Sequence, residues 1–223
     1  MPRYPCPDSL PGEPIRAVLA AGTTLYRVHS THRSPVAFNS VPAKALYDGG
    51  RFDGTPNDEY GFLYAGFGPG AALCEVLLRS IPFDASGGPR LLQRAAFERR
   101  SLSVLRLRES VQAVSLMSGT ELAAVGQDSW LIHAEGLEYP QTRDWGHWIR
   151  ERTKTWSQGF VWPSKREPAD RVVVLFEDRC GDAPLEPTGH TVDFGTEEGE
   201  EWLNAALSPY LTRTSPKQPG RWL

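Results

Sequence analysis

Residues 49–79 read GGRFDGTPNDEYGFLYAGFGPGAALCEVLLR, and their pattern decides the fold class. A Gly-rich loop leads into a short apolar strand, Gly61 to Ala65, which ends on Leu63-Tyr64-Ala65. A turn with Gly66, Gly68 and Pro69 follows, and then an apolar helix from Gly70 to Ser80. Glu75 lies within that helix, in Ala-Ala-Leu-Cys-Glu-Val-Leu-Leu. A carboxylate among apolar neighbours needs a partner, because burying an unpaired charge is expensive. Upstream, TTLYRVHS (23–30) alternates as a strand, and a period of two places Arg27 on the same face as Leu25.

Working outward, residues 1–19 are proline-rich at their start and read as an extended lead-in. Residues 30–60 read as loop. Arg90 to Phe97 and Ser101 to Leu107 read as two strands, while 108–140 stay ambiguous. Trp145, Trp148, Ile149 and Arg152 have helical spacing within 141–156. Gly159 to Trp162 and Arg171 to Phe176 read as a closing strand pair. Residues 181–223 are rich in Gly, Pro and Glu, with one amphipathic stretch at Glu200 to Leu211 that reads as a docking helix. Strands with a few interspersed helices predict an α+β fold rather than a regular βαβ array.

The chain has 223 residues and a net charge of −3, which suits one domain with a substantial core. No stripe of Lys and Arg dominates, so direct nucleic-acid binding is not expected. Three scattered cysteines with no CxxC or Cys/His pairing support neither a disulfide framework nor a metal site. No apolar run is long enough to span a membrane, and a soluble, cytoplasmic protein is expected.

Each candidate residue has a plain structural reading beside the functional one. Glu75 and Arg79 are four apart, the spacing of an ordinary surface ion pair on a helix. Arg27 reads equally well as an edge-strand arginine or as a fork for phosphate or carboxylate. Tyr64 fits a core tyrosine with a satisfied hydroxyl, and Arg51 a loop arginine in solvent or on a phosphate. Ser164 follows Trp162-Pro163 and reads as a turn residue; no GxSxG is present, and the five histidines show no ligand spacing. Gly66-Phe67-Gly68-Pro69-Gly70-Ala71 imitates a dinucleotide-binding turn. Against that stand Pro69 within the turn, the short strand, and Glu98 lying well beyond the ~20 residues the fingerprint asks for.

Five pieces in order resemble the RES-domain family, the toxin halves of bacterial toxin–antitoxin pairs. They are Leu25-Tyr26-Arg27, Gly50-Arg51-Phe52, Leu63-Tyr64-Ala65, Ala71 to Leu77, and Gly159 to Ser164. The resemblance covers roughly residues 20–180. It implies a compact mixed-sheet core with flanking helices, similar to ADP-ribosyltransferases, and NAD+ as substrate without a metal. It also implies an active-site set of Arg27, Tyr64, Glu75 and Ser164, with Arg51 as a further ligand contact, and an Xre-type helix-turn-helix antitoxin as partner. Homo-oligomerisation is left open. Trp162 stands where the family usually has tyrosine, residues 53–60 are unusually acidic, and the tail after 181 exceeds the common family length.

The residue types suit that chemistry. Cleavage of the nicotinamide–ribose bond passes through an oxocarbenium-like state, which a nearby carboxylate stabilises. Arginines suit the pyrophosphate, and nicotinamide leaves neutral, so no strong general acid is needed. Two rival readings remain: a non-catalytic nucleotide- or partner-binding domain, and an RNA-degrading toxin, which the mild acidity disfavours.

Overall fold

The computed structural model describes residues 5–44, 49–79, 81–83 and 85–216; the outermost parts of the expected lead-in and tail lie outside them. In chain order the elements begin with β1 (Arg16–Leu19), β2 (Thr24–Ser30), β3 (Phe62–Gly66) and α1 (Pro69–Leu77). Next come β4 (Arg90–Leu92), α2 (Arg94–Phe97), β5 (Arg100–Leu107) and β6 (Val111–Ser115). Then follow α3 (Gly119–Ala124), α4 (Trp130–His133), α5 (Tyr139–Arg152), β7 (Gly159–Pro163) and β8 (Arg171–Phe176). The chain finishes with β9 (Leu185–Asp193), α6 (Glu197–Leu207) and β10 (Thr212–Thr214).

The fold is α+β, as the strand and helix pattern predicts. Eight strands form one mixed sheet in the order β1-β6-β7-β8-β3-β2-β5-β9, and β10 and β4 make a separate parallel pair. Among the described residues, only β6 and β7 run parallel in the large sheet. Because strand side chains alternate, each face has its own core. On one face Phe160, Trp162, Val174 and Phe176 meet Trp145 and Ile149 of α5. Farther along it Val28 and Leu102 meet Leu73 and Leu77 of α1 and Leu203 and Leu207 of α6. The opposite face, with Leu25, Leu63, Leu105 and Leu175, is covered by Val36 and Phe38 of the loop after β2.

Several elements differ from the sequence reading. Only Arg90–Leu92 of the expected strand 90–97 is extended; Arg94–Phe97 turns into a helical turn that sends Phe97 into the core. The reason is non-local, since β4 pairs with a strand more than a hundred residues later, and that pairing ends at Leu92. The expected strand pair β7–β8 forms, antiparallel, but it is central rather than closing, because β7 also pairs with β6 and β8 with β3. Two strands lie outside the 20–180 span expected for the core and still belong to its sheet: β1 is one edge and β9 the other. The docking helix begins earlier, capped by the Thr196 hydroxyl, and stops before Pro209.

Candidate functional site

The sheet is split at its middle. Strands β2 and β3 share a single register pair, Tyr26 with Gly66, whereas β2 follows β5 over seven consecutive pairs. Beyond that one pair, the loop after β2 crosses to β3 instead, exchanging two backbone bonds between Asn39 and Phe62. The opening is a cleft of about 670 Å³, walled by residues 27–30 of β2, Phe62 and Tyr64 of β3, Glu75, Val76 and Arg79, Gly49, Gly50, Arg51 and Asp53 of the loop, Arg100 and Tyr139.

Glu75 enters from α1. That helix starts tight against β3: a Cβ on Gly66 would collide with the Ala72 amide and the Gly68 carbonyl, so a glycine is required there. Ser164, fully buried at the end of β7, donates its hydroxyl to Glu75 Oε1 at 3.0 Å, and the Lys165 amide donates to the same oxygen at 3.1 Å. Among the described residues no ion pair joins Glu75 to Arg79, so the surface-pair reading does not hold. Instead the carboxylate is oriented through one oxygen, Oε1, and Oε2 accepts no hydrogen bond among the described residues. Ser164 itself does not line the cleft; its hydroxyl meets Glu75, which does.

Tyr64 faces the cleft from β3, but its hydroxyl is committed to the loop. It accepts from the Phe52 amide at 2.8 Å and donates to Asp53 Oδ1 at 2.8 Å. Asp53 Oδ2 accepts from the Gly50 amide at 2.7 Å. Burial pushes the Asp53 carboxyl above its ordinary range, opposed by the hydrogen bonds from Gly50 and Tyr64 and by nearby Arg143 and Arg79. Helix α5 fixes the other side of this loop: Thr142 donates to the Arg51 carbonyl at 2.9 Å, and Phe52 sits edge-on to both Phe160 and Trp162 at 5.2 Å.

Arginines dominate the electrostatics. Arg27 is buried and donates Nη1 to the carbonyls of Pro35 and Ala37 at 2.6 and 2.7 Å, holding the covering loop. Burial, with Arg33 adding to it, lowers its guanidinium to about 10. Arg51, also buried, donates Nη2 to the Ala134 carbonyl at 3.3 Å, while its Nε has no partner. Arg51 and Arg79 lie 5.6 and 5.3 Å from the Tyr139 ring. Arg100 is lowered by burial and then by Arg79. Among the described residues none of Arg27, Arg33, Arg51, Arg79 and Arg100 forms an ion pair, whereas Arg94 and Arg150 do. A chain of net charge −3 thus concentrates unpaired cations around one carboxylate pair, Glu75 and Asp53.

The fold therefore brings Arg27, Arg51, Tyr64 and Glu75 to one cleft, with Ser164 behind Glu75. Sequence reading missed Asp53, Arg33, Arg100, Tyr139 and His29. For Asp53 a signal existed in an acid directly after Gly-Gly-Arg-Phe; for the others the cleft depends on where the strands part. His29 donates Nδ1–H to the Ser30 carbonyl, so Nε2 accepts the Ser103 hydroxyl at 2.9 Å, and burial lowers its pKa. Among the described residues no group of three or more His, Cys, Asp or Glu is placed to hold a metal, and no helix is long and apolar enough to cross a membrane.

The family model described as RES domain matches residues 24–197. Among solved structures, the chain is similar to one from the crystal structure of the M. tuberculosis MbcT–MbcA toxin–antitoxin complex. The identity is 17% and the TM-score 0.54, over 82% of this chain and 90% of that one. At that identity the likeness is one of fold. No curated protein matches the sequence.

Proposed function

The chain belongs to the RES-domain family, and from that footing we propose that it is an NAD+-consuming toxin enzyme acting in the split-sheet cleft. The observation that carries this reading is a carboxylate, Glu75, pinned through one oxygen by Ser164 and Lys165 within a cleft of five unpaired arginines. Such a cleft suits a small molecule with a compact diphosphate beside a centre that becomes positive during reaction. In the proposed step the bond from ribose C1′ to the nicotinamide nitrogen breaks, and its electron pair neutralises the pyridinium. Glu75 stabilises the oxocarbenium-like ribose. Ser164 positions Glu75, and the arginines hold the diphosphate by charge-assisted bonds. Because the Tyr64 hydroxyl is engaged with Asp53, its contribution to the ligand is its ring face, beside Val28 and Val76. The acceptor that joins C1′ is phosphate, water or a protein group.

By analogy with the toxin–antitoxin complex that it resembles in fold, the chain is proposed to pair with an antitoxin; the Xre type of that partner rests on the family resemblance, and a cytoplasmic setting on the sequence pattern. The alternative is a binding domain that keeps the cleft without turnover. The test is product analysis after incubating purified protein with NAD+, with and without phosphate. Nicotinamide with ADP-ribose 1-phosphate marks a phosphorylase, and nicotinamide with ADP-ribose a hydrolase. NAD+ binding with no nicotinamide, even when cell extract supplies a protein acceptor, would favour the binding domain.

A further inference from the structure

The segment beyond the family-matched region reaches the back of the helix that carries Glu75. Family similarity ends at residue 197, where α6 begins. Leu203 and Leu207 of α6 pack on Leu73, Cys74 and Leu77 of α1. After α6 the chain turns through Ser208–Tyr210, and Leu211 takes a left-handed conformation before β10. This turn delivers the Tyr210 side chain to the start of α1. A Cβ on Gly70 would fall within contact distance of the Tyr210 hydroxyl. Cys74, one turn on, lies in reach of the same hydroxyl, and burial raises its thiol to about 12.

The hydroxyl donates to Glu167 Oε2. Glu167 belongs to the short connection between β7 and β8 that also supplies both donors to Glu75. That connection is closed on itself: the Ser164 amide donates to the Asp170 carbonyl at 2.9 Å, and the Asp170 amide to the Glu167 carbonyl at 2.9 Å. Moving Glu167 therefore moves Ser164 and Lys165. The backbone of Tyr210 is itself clamped, since buried Arg90 donates to its carbonyl at 2.8 Å and to the Ile81 carbonyl at 3.2 Å.

We propose that Tyr210 is a positioning residue, which through Glu167 sets the 164–170 connection and hence the orientation of Glu75. The C-terminal segment is thus part of the site's support, not an appendage. A carboxylate must be held within a fraction of an ångström to act selectively on a transition state, so loosening this brace lowers turnover more than binding. The effect on rate rests on the NAD+ reading above; the effect on the connection does not.

The experiment compares Tyr210→Phe and Glu167→Gln with the wild type by hydrogen exchange of the Lys165 amide, thermal unfolding and steady-state kinetics with NAD+. Tyr210→Phe keeps the ring that fills the space and removes only the hydroxyl. Expected are faster exchange at Lys165, an unchanged melting temperature, and kcat down about tenfold with KM retained. In a Ser164→Ala background, where the route to Glu75 is already weakened, the same substitution costs less. Exchange at Lys165 equal to wild type in both variants overturns the proposal, as does an equally large kcat loss in the Ser164→Ala background. If the wild type does not turn over NAD+, the functional reading fails and the exchange result alone decides the brace.

Discussion

Ser164 and Glu75 stand 89 residues apart in the chain, and their side chains meet at 3.0 Å. The contact joins the residue just after β7 to the C-terminal half of α1. It explains why a carboxylate is tolerated in an otherwise apolar helix: its charge is shared with two directed donors. The serine read from sequence as a turn residue is a fully buried member of this pair.

Ser164→Ala removes one of the two bonds to Oε1 and leaves the Lys165 amide. A hydrogen bond to a charged group contributes about 1.5–3 kcal/mol, so kcat for nicotinamide release should fall about tenfold or more, with little change in KM. Steady-state kinetics reads this directly, and unchanged kcat would show that Ser164 does not orient Glu75.

Gly146→Ala separates packing from helix propensity. Gly146 is in the interior of α5, where alanine normally adds about 1 kcal/mol. Here the new Cβ would lie 2.9 Å from Phe52 Cδ1, a ring held edge-on by Phe160 and Trp162. Overpacking at a fixed ring costs about 1–3 kcal/mol, so urea unfolding should show net destabilisation. Activity should drop as well, because Phe52 lies between Arg51 and Asp53. A stabilised variant would mean that the loop has room to yield.

Stability should decline as the pH falls below about 6.5. Burial lowers the folded pKa of His29, aided by Arg27, so the unfolded chain takes up the proton first. The contribution is complete above the unfolded value of 6.5 and is lost as pH falls below it. His133 and His147 shift in the same direction, so His29→Gln should flatten the loss without abolishing it. Thermal melts across this range check the sign. A melting temperature that rises on acidification would contradict it.

Much of the framework was legible in local pattern. The alternation of 23–30, the strand–turn–helix of 61–80, and the helical spacing of the tryptophans each reflect one element's own burial, and each forms close to its expected bounds. What stayed hidden depends on pairing between distant segments. Nothing in residues 185–193 announces a partner in β5, and Arg90–Leu92 is a strand only because 212–214 arrives beside it. The cleft has the same origin. Arg100 and His29 become wall residues because β2 parts from β3 after one pair, a choice made by the covering loop and not by either strand. Asp53 looked like part of an acidic loop; only its bonds from Gly50 and Tyr64 show that it ties down the loop carrying Arg51.

The most direct measurement is NAD+ binding and nicotinamide release by Glu75→Gln beside the wild type. Glutamine keeps the shape and an acceptor for Ser164 and Lys165, and removes the charge. Glu75→Gln should retain NAD+ affinity by calorimetry, with release slowed by about a hundredfold or more. A variant that releases nicotinamide as fast as the wild type would contradict the assignment of Glu75.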